Sequence, residues 1–97
     1  MKMHRPPHPG EFIREIYLDP FGLSCSSVAV KLKVSASTFT NLVKGKSRVT
    51  PEMALRLSKT LGRTAESWLI MQNNYNLWHA RKRINLDEVE ALELLAA

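Results

Sequence analysis

The sequence predicts an all-α fold of about five short helices with a C-terminal helical extension, and three observations carry that expectation. Apolar residues recur at three- and four-residue spacing in one segment after another. Most of these segments open on Ser or Thr and close on Gly or Pro, the usual punctuation of helix starts and stops. No alternating strand-like run, internal repeat or low-complexity tract competes with them. At 97 residues, 44% hydrophobic and 24% charged, the chain has globular composition and material for one modest core.

The opening HRPPHPG cannot be helical, because prolines at 6, 7 and 9 remove backbone donors and push the residues before them toward extended conformations. Residues 1–8 therefore read as an arm. His8 is placed to cap a helix over 9–18, with Pro9 at its first position, Glu11 in its first turn and Phe12, Ile13, Ile16 and Tyr17 at helical spacing. Asp19, Pro20 and Gly22 stop it. Ser24 caps a second helix over 25–32, buried along Val28, Ala29 and Leu32. Ser35 caps a third over 36–44, with Phe39, Leu42 and Val43 inward and Gly45 at its end. Thr50 and Pro51 open a fourth over 51–61, with Met53, Ala54, Leu57 and Leu61 inward and Gly62 closing it.

Thr64 caps a longer fifth segment in which Trp68, Met71, Tyr75 and Trp78 share a side, with Leu69 and Leu77 close to it. The tail divides by charge. Arg81, Lys82 and Arg83 precede a stretch with four acids and the apolar set Leu86, Val89, Leu92 and Leu95. Asn85 followed by Glu88 resembles a capping box and predicts a short sixth helix. The organisation is an arm over 1–8, a helical domain over 9–80 and an extension over 81–97 that is a candidate dimerisation or partner helix.

The net charge of +5 favours a polyanionic partner, although a surface charged for solubility accounts for it about equally well. Cys25 is the only cysteine, so no internal disulfide forms and a reducing, cytoplasmic setting is expected. The first residues lack the apolar core of a signal peptide, and no run of about 18 apolar residues occurs, so no membrane span is expected.

Two short helices joined by Lys33-Val34-Ser35 suggest a helix-turn-helix, in which the second helix crosses the DNA backbone and the third enters the major groove. With Phe39, Leu42 and Val43 inward, the outward positions are Ala36, Ser37, Thr40, Asn41 and Lys44. Their short polar side chains let a helix approach base edges, and Asn41 is able to pair in two places with an adenine. Lys31, Lys33, Lys44, Lys46 and Arg48 surround them, and no acid occurs between residues 20 and 51. Such cations neutralise phosphates and release counterions.

Through GLSCSSVAVKLKVSASTFTNLVKGKSRV, residues 22–49, the chain resembles the lambda-repressor and Cro-like (Xre) helix-turn-helix family. HPGEFIREIYLDPFGLS at 8–24 and NYNLWHAR at 74–81 further resemble the HigA-type, or VapI-like, antitoxins within it. The resemblance implies a DNA-binding dimer that represses its own operon and neutralises a small ribonuclease toxin, HigB, which cleaves messenger RNA on the ribosome. It places Ala36, Ser37 and Asn41 toward bases, and Cys25, Ser26, Lys44, Lys46 and Ser47 toward phosphates; Thr38 and Thr40 are further candidates on the same helix. Lys33 occupies a turn position usually filled by glycine, at a cost of about 1 kcal/mol if its φ is positive. Its charge adds a candidate phosphate contact.

Other chemistries fit less well. His4 and His8 have a zinc-ligand spacing, but prolines preclude the helix that would pair them and no cysteine or acid stands close, so no metal or other cofactor is expected. His79 beside Arg81, Lys82 and Arg83 suggests a ribonuclease, yet no second histidine can be placed opposite it. Cys25 lacks an assigned base, so no catalysis is expected. Trp68, Tyr75 and Trp78 would suit stacking on single-stranded RNA, but aromatic stripes at helical spacing more often fill cores or interfaces. Five short helices are not expected to enclose both tryptophans and the apolar tail as well, which favours a subunit interface; Leu77, Trp78, Leu86, Val89 and Leu92 are its candidates. A basic toxin would suit the acidic tail. The competing functions are a stand-alone repressor of the same fold and a small RNA-binding protein.

Overall fold

The computed structural model describes residues 4–94. Residues 4–8 lead into α1 (Pro9–Ile13), which continues through a π-helical turn, Arg14–Leu18, and a 3-10 turn, Asp19–Phe21. Four further helices follow: α2 (Cys25–Leu32), α3 (Ala36–Val43), α4 (Pro51–Thr60) and α5 (Ala65–Arg83). No strand occurs among the described residues.

The caps expected at the starts of α1 to α5 form. His8 Nδ1 accepts from the Gly10 N–H at 2.9 Å, and the hydroxyls of Ser24, Ser35, Thr50 and Thr64 each accept the N–H three residues on, at 3.0–3.2 Å. Each satisfies a backbone donor that a helix start leaves free. Gly22, Gly45 and Gly62 take positive φ where the helical turns end.

One expectation for the first helix fails at Ile16, which is 47% exposed, while Leu18 is buried. The cause is the π turn, in which the Asp19 N–H bonds to the carbonyl of Arg14, five residues back. That wider turn brings residues five apart to one side, so Ile13 is followed inward by Leu18 rather than by Ile16.

The core gathers Ile13 and Leu18 with Val28, Ala29 and Leu32 of α2, Phe39, Leu42 and Val43 of α3, Met53, Ala54 and Leu57 of α4, and Trp68 of α5. Leu61, expected inward, is only half-buried. α2 packs on α3 and α4, α4 packs on α5, and α1 lies across α3. That last crossing is close: a Cβ at Gly10 would collide with the Leu42 carbonyl oxygen and stand 2.8 Å from Val43 Cα. Glycine is what allows the two backbones to meet there.

The two tryptophans separate. Trp68 is fully buried, with Nε1 donating to the Gly62 carbonyl at 3.0 Å, so the domain encloses it and it is no interface residue. Trp78 remains half-exposed, with Lys82 Nζ 3.8 Å from its ring centroid. Beyond α5 the expected sixth helix is reduced to one 3-10 turn, Leu86–Glu88. Asn85 Oδ1 accepts from Asp87, two residues on, instead of closing a box with Glu88. Leu86, Val89 and Leu92 are exposed, and an isolated helix this short does not hold without a surface to lie on. Leu95 lies outside the described residues.

Candidate nucleic-acid interface

α2 and α3 form the helix-turn-helix pair, and the turn between them is closed from both sides. Lys33 adopts φ 61°, ψ 41°, the left-handed conformation ordinarily left to glycine, and the Val34 N–H returns to the Ala29 carbonyl at 3.2 Å. This is the Schellman-like closure of a helix end. From α4, Arg56 Nη1 donates to the Leu32 carbonyl at 2.8 Å, satisfying an acceptor at that end. Ser35 then starts α3 and its hydroxyl bonds also to Thr38 Oγ1 at 2.8 Å.

At 100° per residue, Ala36, Thr40, Lys44, Ser37 and Asn41 occupy one arc of α3, opposite Phe39, Leu42 and Val43. Ala36, Ser37, Asn41 and Lys44 are exposed and Thr40 is half-buried. Thr38 is exposed but falls outside this arc, on the side where it closes the cap with Ser35. At the start of α2, Ser26 is exposed, while Cys25 is half-buried and packs against the core.

Lys46, Ser47 and Arg48 are exposed in the loop that follows α3, and this loop is anchored at depth. Val49 is buried, and its N–H donates to Gln72 Oε1 at 2.8 Å. Gln72, itself 4% exposed, donates in turn to Asn76 Oδ1 at 3.0 Å. His8, buried beside Gly45, packs edge-on against Tyr75 with ring centroids 4.9 Å apart. Burial lowers the His8 pKa from its ordinary value of 6.5, opposed by a hydrogen bond to the Ser47 backbone and by the charge of Glu11. The imidazole is therefore neutral at pH 7, as the cap on Gly10 requires, because Nδ1 must offer a lone pair. Arg14 Nη2 reaches the Val43 carbonyl at 3.4 Å, at the end of α3.

Of the distant groups that support this loop and turn, His8 is the one whose role as a cap the sequence predicts. Gln72 falls four residues after Trp68, on the buried side of α5, and a polar residue at such a position is the one trace it leaves. Arg56 and Arg14 leave none. Elsewhere, His79 lies against Tyr75 and Trp78, at centroid distances of 4.4 and 5.0 Å, and His4 is exposed while His8 is buried. Of the interface candidates, Leu77 is 48% exposed on α5, alongside half-exposed Trp78. Among the described residues, no helix is long and apolar enough to cross a membrane.

No family model matches the chain. It is 36% identical over 92 residues to the HTH-type transcriptional regulator YddM of Escherichia coli, covering 95% of this chain and 97% of that one. It is 34% identical over 79 residues to antitoxin HigA-1 of Vibrio cholerae, covering 81% and 74% respectively. Among solved structures, that of Pseudomonas aeruginosa antitoxin HigA with the higBA promoter matches with a TM-score of 0.82 and 33% identity, over 95% of this chain and all of that one. The order of helices, the left-handed turn before α3 and these relatives lead to one assignment: the chain belongs to the HigA-type antitoxins of the lambda-repressor and Cro-like helix-turn-helix family, which are DNA-binding transcription regulators and not enzymes.

Proposed function

We propose that this chain binds operator DNA through the outward face of α3, represses its own operon as a homodimer and neutralises a small, basic, HigB-like ribonuclease toxin. The observation that carries the DNA reading is the composition of that face: Ser37, Asn41 and Lys44 exposed beside Ala36 and half-buried Thr40, with no acid between residues 20 and 51. In this reading Asn41 pairs with an adenine edge, while Ala36, Ser37 and Thr40 allow close approach and supply single hydrogen bonds. Thr38 acts at one remove, by holding the Ser35 cap. Ser26, Lys33, Lys44, Lys46 and Ser47 contact phosphates, and Cys25 supports the start of α2 from beneath.

A homodimer suits the two-fold operators this motif commonly reads. Leu77, Trp78, Leu86, Val89 and Leu92 are its proposed contacts, supported by their exposure at and beyond the end of α5. Asp87, Glu88, Glu90 and Glu93 in the same stretch offer a basic toxin a surface of opposite charge, away from the basic DNA face.

The toxin is tested by inducing the small reading frame adjacent to this gene, with and without this protein, and measuring growth. Arrest that the protein relieves is the expected result. Normal growth in both cultures overturns the antitoxin role and leaves a stand-alone repressor, the second reading.

A further inference from the structure

Among the described residues, two surfaces lack partners and complement each other. The first is a groove of about 470 Å³ between α2 and α4, with Leu23, Val28 and Leu61 in its walls and Lys31 and Lys59 among its lining. Leu23 is 46% exposed, so apolar surface lies open to water between two ammonium groups. The second is the segment 84–94. Ile84, Leu86, Val89, Leu92 and Leu94 are all at least 53% exposed, and Asp87, Glu88, Glu90 and Glu93 lie between them. Beyond Ile84, its hydrogen bonds among the described residues are internal, made by Asp87, Glu88 and Val89.

We infer that the segment 84–94 of one copy docks into the α2–α4 groove of a second copy, with Leu86, Val89 and Leu92 on the apolar walls and its carboxylates at Lys31 and Lys59. This rests on the homodimer reading above and supplies the receiving surface that it lacks. Leu86, Val89 and Leu92 are three residues apart, a spacing that makes one stripe when the segment is helical. On such a helix Glu88 and Glu90 border the two edges of the stripe, one for each side of the groove, and Glu93, seven residues after Leu86, falls on the stripe itself, where Lys31 or Lys59 must meet its charge. Burial of the stripe provides the surface without which so short a helix does not form.

Charge and reach select the occupant. A basic toxin has the wrong sign for a groove edged by lysines, and a nucleic acid brings phosphates without an aliphatic face. The chain's own segment starts too far away. The groove sits near the beginning of α5, at Lys59 to Leu61, and the 19 residues of α5 carry the chain about 28 Å from there. The three residues from Ile84 to Leu86 span no more than about 11 Å, so Leu86 cannot return to its own groove.

The test uses the full chain in a Cys25→Ser background, with Leu94→Cys carrying a nitroxide in unlabelled protein, mixed with nitrogen-15 protein that has no spin label. Amide signals of Lys31, Thr60 and Leu61 lose most of their intensity in the mixture. Lys31→Glu with Lys59→Glu restores them, and adding Glu88→Lys with Glu90→Lys brings the loss back. Intensity loss confined to the region of Leu77 and Trp78 overturns the groove while leaving the homodimer intact. Loss at the groove that survives the lysine reversals overturns it too. A chain that stays monomeric by light scattering, with no loss in the mixture, overturns both the groove and the dimer.

Discussion

The turns on either side of α3 are built in different ways. The one before it is nearly self-sufficient: Lys33 turns left-handed, Val34 closes back on Ala29, Ser35 caps the next helix, and among the described residues Arg56 alone bonds to it from elsewhere. The loop after it depends on distant elements, through His8 of the arm and Gln72 of α5, with α1 pressed on the end of α3 through Gly10. A turn specified by neighbours in sequence tolerates change elsewhere in the domain. A loop specified by buried polar groups far along the chain loses its shape when any of those groups is lost.

The largest expected effect lies on the dependent side. Gly10→Ala introduces a Cβ into the Leu42 carbonyl, which only a backbone shift relieves, and it should destabilise the fold by about 3 kcal/mol in urea unfolding. A loss below about 1 kcal/mol would mean that α1 and α3 are not in close contact. Gln72→Leu keeps the side chain buried but strands the Val49 N–H, with an expected cost of about 1–3 kcal/mol. Operator affinity should fall with it, because Lys46, Ser47 and Arg48 lose their anchor.

On the self-sufficient side the expected change is smaller and favourable. Lys33→Gly removes a left-handed lysine and should stabilise the domain by about 0.5–1 kcal/mol. It should also lower the slope of log affinity against log salt by about 1, through the lost phosphate contact. Stabilisation without any change in slope would show that Lys33 faces no phosphate.

The smallest effect concerns pH. His8 has a lowered pKa in the folded chain, so as pH falls below 6.5 the unfolded chain takes up its proton first. Its contribution is complete above that pH and declines as pH falls through the folded value. His8→Asn keeps a cap acceptor without a titrating group, so its unfolding midpoint should show less of this decline than the wild type.

What the sequence made legible follows the same division. Caps, terminating glycines and the apolar stripes of α2, α3 and α4 depend on residues within a turn or two of each other, and the outward set Ala36, Ser37, Asn41 and Lys44 follows once Phe39, Leu42 and Val43 are assigned inward. Ile16 departs from the helical spacing because the π turn changes the helical phase, and such a turn has no compositional mark. Which of the two tryptophans is enclosed was not legible, because the enclosing volume depends on how α1 crosses the bundle, and that crossing hinges on Gly10. Gln72 and Arg56 act across 23 and 24 residues of sequence, and no local pattern announces such partners.

The central claim, that the exposed face of α3 reads DNA, is tested most directly by titrating wild type and Asn41→Ala against the operator and against unrelated duplex DNA at one salt concentration. Loss of one bidentate base contact predicts about 1–3 kcal/mol weaker operator binding, with binding to unrelated DNA unchanged. An equal loss on both DNAs, or none on either, would contradict base reading by this face.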